Sequence, residues 1–436
     1  MVKAADLVVR GTVSQYLSER PTVYCYKKEG DKGARIPCRF NKMKREYPIV
    51  NFPEPLLQLR PEQEKVLNEM EALCEKQRED TRKMSLQTSG STTNTSEDVS
   101  VACYAIFGHI YTGFGKSPTA SIFAARKRGP VLIFCDRDAV RKGWVGTWKQ
   151  FFNVDAYCAT GDTLGKHDVC ICSIQLAMKH ADKFRDDLKY YKTVICDEAD
   201  TLCTQLAVNV LLDVSPQYFI GLTATVRRND GLDKVLDVFW GPRKDWIQRL
   251  KEFGEDCSMV LNVLYTPFKV ESIYNRKGTL DWMGMAQIVS NIPERNLMIR
   301  NIPLLHMNGK GLVLTKTLEH VETLSTMMRE VGIDVTTYCS NAKIYYDAHV
   351  LIATLSKAGR GYDDKQVSAA FDGRRFDFLI LCMTIKDADQ ALGRALRGSK
   401  LTVYLLVDEN PTMRSHCESM KSVNSKRGAT INEEYM

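Results

Sequence analysis

The chain has 436 residues, which at about 100–200 residues per domain allows two or three domains, each with a core of its own. Hydrophobic residues make up 44% and charged residues 26%, as in an ordinary globular chain, and no apolar run approaches the roughly 18 residues of a membrane helix. Lysine and arginine total 60 against 53 acidic residues, and the resulting net charge of +7 permits a phosphate-backbone partner without demanding one.

The opening Met1-Val2-Lys3-Ala4-Ala5-Asp6 lacks the apolar core of a secretory signal. The 14 cysteines sit mostly in interior-looking runs such as Ile133-Phe134-Cys135 and Val169-Cys170-Ile171-Cys172, with no CxxC pair. Buried reduced thiols in an intracellular, reducing compartment are expected, rather than disulfides or zinc. Cytoplasm, nucleus and virion are not distinguished.

Residues 1–50 read as a small β-rich N-terminal unit with a basic middle: Lys27, Lys28, Lys32, Arg35, Arg39, Lys42, Lys44 and Arg45. From Leu59 to Lys76 the apolar positions Val66, Leu67, Met70 and Leu73 recur at helical spacing. Residues from about 82 to 100 read as a flexible loop, because Ser85–Ser100 is rich in serine and threonine. Strand-like runs then alternate with amphipathic stretches: Val101–Ile110, Pro130–Cys135, Val169–Ile174, Thr193–Cys196 and Tyr218–Leu222. The pattern breaks at Gly241-Pro242, and 243–300 reads as a connecting region. A second set follows: Gly311–Leu314, Asp334–Tyr338, Val350–Thr354, Phe378–Leu381 and Leu401–Val407. The expectation is two α/β domains in series, 51–242 and 301–436, each a parallel sheet with helices on both faces.

Thr112-Gly113-Phe114-Gly115-Lys116-Ser117 directly follows the first of these strands. Glycines let such a loop curl so that backbone N–H groups converge on phosphate oxygens. Lys116 is placed to reach the β- and γ-phosphates, and the Ser117 hydroxyl to ligate Mg²⁺. Ile110 stands where the usual P-loop pattern has a small residue. The second anchor is Asp197-Glu198-Ala199-Asp200, at the end of the apolar run Thr193–Cys196. Carboxylates at that end of a parallel strand sit where α/β folds bind ligands. Asp197 suits a metal, and Glu198 suits a base that orients the attacking water.

Further segments resemble superfamily 2 helicases of the XPB-like and poxvirus type. Gly221-Leu222-Thr223-Ala224-Thr225 resembles motif III, which couples nucleotide state to the strand through Thr223, Ala224 and Thr225. Arg60 and Gln63 resemble the adenine-sensing stretch. Val350–Thr354 through Gly361 and Asp363 resembles motif V, with Arg360 where an acidic residue is usual. Gln390, Arg394 and Arg397 match motif VI. Segments at motifs Ia and IV supply candidate phosphate contacts at Arg137, Lys142, Thr315 and Lys316. Trp144 and Trp148, at i, i+4 spacing, read as core rather than as a base-stacking platform.

The resemblance implies tandem RecA-like domains that use ATP and Mg²⁺. It implies DNA in preference to RNA as partner, transcription or replication machinery as associates, and no membrane. The expected activity is an ATP-dependent DNA helicase or translocase. The alternatives are a nucleic-acid-stimulated ATPase clamp that does not separate strands, and an RNA helicase.

Overall fold

Val131-Leu132-Ile133-Phe134-Cys135 is apolar at every position and every one of its residues is buried, which is the mark of a strand covered on both faces. In a computed structural model it lies inside a parallel sheet. The structure describes residues 3–12, 20–29, 33–40, 45–89, 101–136, 138–161, 163–226, 228, 230–250, 258–276, 278, 280–340, 342–358, 368–369, 371, 373–385, 392 and 400–436. They divide into two compact units, Met1–Leu250 and Lys251–Met436.

In the first unit, strands β1 (Val8–Arg10) and β2 (Thr22–Tyr24) form an antiparallel pair, as do β3 (Lys27–Glu29) and β4 (Gly33–Arg35). The main sheet is built from β5 (Tyr104–Ile110), β6 (Val131–Cys135), β7 (Tyr157–Cys158), β8 (Val169–Ser173), β9 (Thr193–Asp197), β10 (Tyr218–Thr223) and β11 (Ile247–Arg249). Its seven strands run parallel in the order β11-β5-β10-β9-β6-β8-β7. Side chains alternate across it. Phe107, Leu132, Phe134 and Val194 join one core, and Ile106, Ile133, Ile195 and Ile220 join the core on the opposite face.

The second unit repeats this plan with β12 (Ser258–Lys269), β13 (Gly311–Thr315), β14 (Val335–Tyr338), β15 (Val350–Thr354), β16 (Phe378–Leu381), β17 (Lys400–Glu409) and β18 (Thr430–Tyr435). These seven strands are parallel too, in the order β14-β15-β13-β16-β17-β12-β18, again between two cores. Each unit is therefore an α/β layer structure of the tandem RecA-like kind.

Three sequence expectations change. Residues 243–300 are not a connecting region, because β11 completes the first sheet and β12, 12 residues long, is an interior strand of the second. Residues 1–50 do not stand apart: Leu7, Val9, Val23, Cys25 and Cys38 lie in a core of the first unit, and Arg35 forms an ion pair with Asp213. Arg39 donates to the Asp237 carbonyl at 2.8 Å, so part of the basic middle is spent on packing. The helix from Pro61 continues to Ser89, so 82–89 are helical, and 90–100 lie outside the described residues. The described cysteines are free thiols, most of them buried. No helix among the described residues is long and apolar enough to cross a membrane.

Candidate nucleotide site

Strand β5 ends at Ile110, and the chain turns through Tyr111–Gly115 into the helix Lys116–Arg126. Gly113 and Gly115 make that turn possible, with φ of 89° and 94° in the left-handed region that glycine adopts without strain. At Gly115 space is a second constraint, since an added Cβ would lie 2.0 Å from Nε2 of Gln63. Phe114 is buried and meets the Tyr111 ring edge-on at 5.5 Å, which fixes the loop from below. Lys116 Nζ donates to the Ile110 carbonyl at 3.2 Å and so folds back over the loop. Ser117 follows in the first turn, where helix N–H groups lack intrahelical partners.

Gln63 and Arg60 grip this loop from the helix Pro61–Ser89 and its entry. Gln63 Nε2 donates to the Phe114 carbonyl at 3.0 Å, while its Oε1 accepts from the Arg60 backbone N–H at 2.9 Å. The Arg60 guanidinium donates to the same Phe114 carbonyl. The amide expected to sense adenine is therefore buried against the phosphate loop in this structure.

Strand β9 delivers Asp197 and Glu198 at its C-terminal end. β10 lies between β9 and β5, so the ends of three strands carry the phosphate loop, the acidic turn and Thr223. Glu198 has φ 50°, a left-handed conformation that costs a non-glycine residue about 1–3 kcal/mol and clusters at functional sites. Asp197 is buried, and burial is the main reason its carboxyl is pushed up to about 6, with the adjacent Glu198 adding to the rise. Lys116 and the Trp144 indole hold it down. The indole N–H of Trp144 donates to Asp197 Oδ2 at 2.8 Å, and the Glu198 backbone N–H donates to Oδ1 at 3.1 Å. Glu198 Oε2 is buried without a hydrogen-bond partner.

The acidic turn is tied to motif III. Thr223 donates to Asp200 Oδ1 at 2.6 Å, and Thr225 donates to Oδ2 at 3.2 Å; Ala224 lies between them. Arg228 donates to the Asp200 carbonyl at 2.6 Å and pairs with Asp230. The Asp230 carbonyl in turn accepts the Thr12 backbone N–H at 2.7 Å, docking the N-terminal strands on this loop.

The expected strand contacts fare differently. Lys142 is exposed on the helix Asp138–Phe152. Thr315 is buried and donates its hydroxyl to the Thr317 carbonyl at 3.1 Å, so it does not present that group to a strand. Lys316 is half-buried over the Trp282 ring at 5.4 Å, and burial lowers its pKa. Arg137, Gly361, Asp363, Gln390, Arg394 and Arg397 lie outside the described residues.

Sequence reasoning missed the contacts of Trp144, Arg228 and Asp230. Helical spacing had pointed to Trp144 as core, which it is, but nothing local in the sequence tells where its N–H points. Asp408 is buried and pairs with the equally buried Arg295 at 2.7 Å, a structural role.

The family described as "Type III restriction enzyme, res subunit" matches residues 56–228, which contain the phosphate loop, the acidic turn and motif III. The chain is 26% identical over 355 residues to "Putative helicase 161L" of Invertebrate iridescent virus 6, covering 74% of this chain and 76% of that protein. It is 27% identical over 327 residues to "Putative helicase 055L" of Frog virus 3, covering 73% and 72%. Among solved structures it is similar to the Pyrococcus furiosus Hef helicase domain, with a TM-score of 0.46 and 13% identity over 73% of this chain and 95% of that one. A phosphate loop and an acidic turn on strands flanking β10, in a chain similar along most of its length to viral proteins named as putative helicases, support a superfamily 2 helicase that works as an ATP-dependent nucleic-acid enzyme.

Proposed function

We propose that the chain is a DNA helicase or translocase that binds Mg²⁺·ATP at the phosphate loop and hydrolyses it to move along a strand, in viral transcription or replication. The observation that carries this reading is the placement of the phosphate loop, directly after β5, and of the acidic turn, at the end of β9, on strands that lie on either side of β10. The resemblance to XPB-like and poxvirus-type DNA helicases favours DNA over RNA.

The donor set fits magnesium. Ser117 and Asp197 offer hard oxygen ligands, Glu198 adds an unpartnered buried oxygen, and this ion is usually held by one or two carboxylates together with substrate phosphates. Among the described residues, no group of three or more His, Cys, Asp or Glu forms a separate metal cage. Bound Mg²⁺ neutralises phosphate oxygens. The Lys116 ammonium neutralises the β- and γ-phosphates, the loop N–H groups cradle them, and Glu198 accepts the proton of the attacking water. Thr112, Gly113, Phe114 and Gly115 shape the cradle. Gly361, Asp363, Gln390, Arg394 and Arg397 are assigned to the nucleotide by resemblance, with the arginines stabilising charge that develops in the transition state.

The test is the ATPase rate of the intact chain and of Lys116→Ala, without nucleic acid and with single-stranded DNA, double-stranded DNA or RNA. Stimulation by DNA above RNA, abolished in Lys116→Ala, is expected. Strand-displacement and triplex-displacement assays on the same preparation separate unwinding from translocation alone. Equal hydrolysis by Lys116→Ala and the parent would overturn the nucleotide-site assignment.

A further inference from the structure

We propose that Trp144 is a positioning residue for ATP hydrolysis, its indole N–H fixing the Asp197 carboxylate in the orientation that receives the nucleotide-bound metal. This rests on the nucleotide-site reading above.

Asp197 closes β9, and a carboxylate at a strand end can rotate about its last bond unless both oxygens are held. Here both are: Oδ2 accepts from Trp144 at 2.8 Å, and Oδ1 accepts from the Glu198 backbone at 3.1 Å. Each oxygen can accept more than one hydrogen bond, so lone pairs remain for a cation. The indole can only donate, so the contact demands an acceptor.

Trp144 is itself packed in the core. It is 1% exposed, on the helix Asp138–Phe152 that follows β6. One turn later Trp148 packs against Phe52 at 5.1 Å and Phe152 at 5.0 Å, anchoring the same helix in the core. The Trp148 indole nitrogen is buried without a partner. The two tryptophans divide the work: Trp148 packs, and Trp144 reaches the acidic turn.

Groups that orient a metal ligand typically change metal affinity by 10–100-fold when removed. Trp144→Phe keeps the aromatic bulk and deletes the donor. Mn²⁺ serves as the probe, titrated in the presence of a non-hydrolysable ATP analogue and followed by electron paramagnetic resonance. Mn²⁺ affinity is expected to fall about tenfold in Trp144→Phe. The Mg²⁺ needed for half-maximal ATPase should rise in step, with the KM for ATP at saturating Mg²⁺ little changed. Trp148→Phe, in an equally buried position, should bind Mn²⁺ like the parent.

A second measurement does not depend on the variant folding. In the parent chain labelled with ¹⁵N-tryptophan, Mn²⁺ with the analogue should broaden the Trp144 indole signal, assigned with phenylalanine variants at the other tryptophans. A folded Trp144→Phe with parental Mn²⁺ affinity, or an indole signal untouched by Mn²⁺, would overturn the positioning role. Lys116→Ala keeps the two readings apart. If it hydrolyses ATP like the parent, the nucleotide site itself is misassigned. If it is inactive while Trp144→Phe matches the parent, only the role of Trp144 fails.

Discussion

Thr223 donates its hydroxyl to Oδ1 of Asp200 at 2.6 Å, so the last residue of β10 is bonded to the turn that carries Asp197 and Glu198. The bond is buried, and Thr225 supports it with a second hydroxyl on the other carboxylate oxygen at 3.2 Å. The acidic turn, motif III and, through Arg228 and Asp230, the N-terminal strands thus share one hydrogen-bonded network.

Thr223→Val removes that bond and keeps the side-chain shape. Because the Lys116 and Glu198 positions are untouched, ATP turnover should stay within a few-fold of the parent. Strand displacement should fall about 2- to 30-fold, the scale of a coupling energy of 0.5–2 kcal/mol. Losing a buried partner should also lower stability by about 1–3 kcal/mol. ATPase and displacement assays on one preparation, with a urea titration, check all three, and equal losses in both activities would refute coupling through this bond.

Glu198→Gln should bind ATP normally and hydrolyse it about 10²–10⁴-fold more slowly, since an amide cannot take the proton from the attacking water. The substitution keeps the size and shape of the Glu198 side chain, at a position whose backbone is left-handed (φ 50°). Single-turnover hydrolysis beside nucleotide affinity is the measurement. A parental rate would place the base elsewhere.

In the second unit, Arg295 and Asp408 are both 0% exposed and share two hydrogen bonds of 2.7 and 2.9 Å. Thr266 adds a third bond to the same carboxylate at 2.7 Å. Arg295→Met leaves a buried carboxylate uncompensated and should destabilise by about 3–5 kcal/mol. Asp408→Leu in the Arg295→Met background should recover much of that loss, because two apolar side chains need no partner. Urea titrations of the single and double variants decide it; additive losses would show that the charges do not act as a pair.

His320 gives the second unit a pH dependence. Burial, with Arg295 nearby, holds its imidazole down to about 3, below the ordinary 6.5. It is neutral in the fold, and its ring bonds Asn296 Oδ1 at 2.9 Å as donor. The unfolded chain takes up a proton below 6.5 and the folded chain does not, so this contribution is complete above pH 6.5. It is lost as pH falls toward 3, by up to about 1.4 kcal/mol per pH unit. His320→Gln should flatten the drop in urea midpoint between pH 7 and pH 5. An unchanged slope would assign that drop to other groups.

The sequence alone determined the parallel α/β character of both units, because strands covered on two faces must be apolar at every position, as Val131–Cys135 and Phe378–Leu381 are. It also marked the phosphate loop and the acidic turn, since phosphate binding demands glycines and a lysine in one short local run. It hid β12, whose apolar run Met259–Tyr265 lies in a stretch that reads as a connecting region, and two strands whose apolar signal is weak. β11 has only three residues, and β18 is exposed along nearly its whole length. The boundary between units also escaped it, because β11 and β12 are assigned to their sheets by pairing with strands far along the chain. The same holds for the site. Trp144 and Asp197 are 53 residues apart, Thr223 and Asp200 are 23 apart, and Arg295 and Asp408 are 113 apart. No local pattern encodes those meetings: side-chain direction in a folded core is fixed by the packing of neighbours that only the completed sheets bring together.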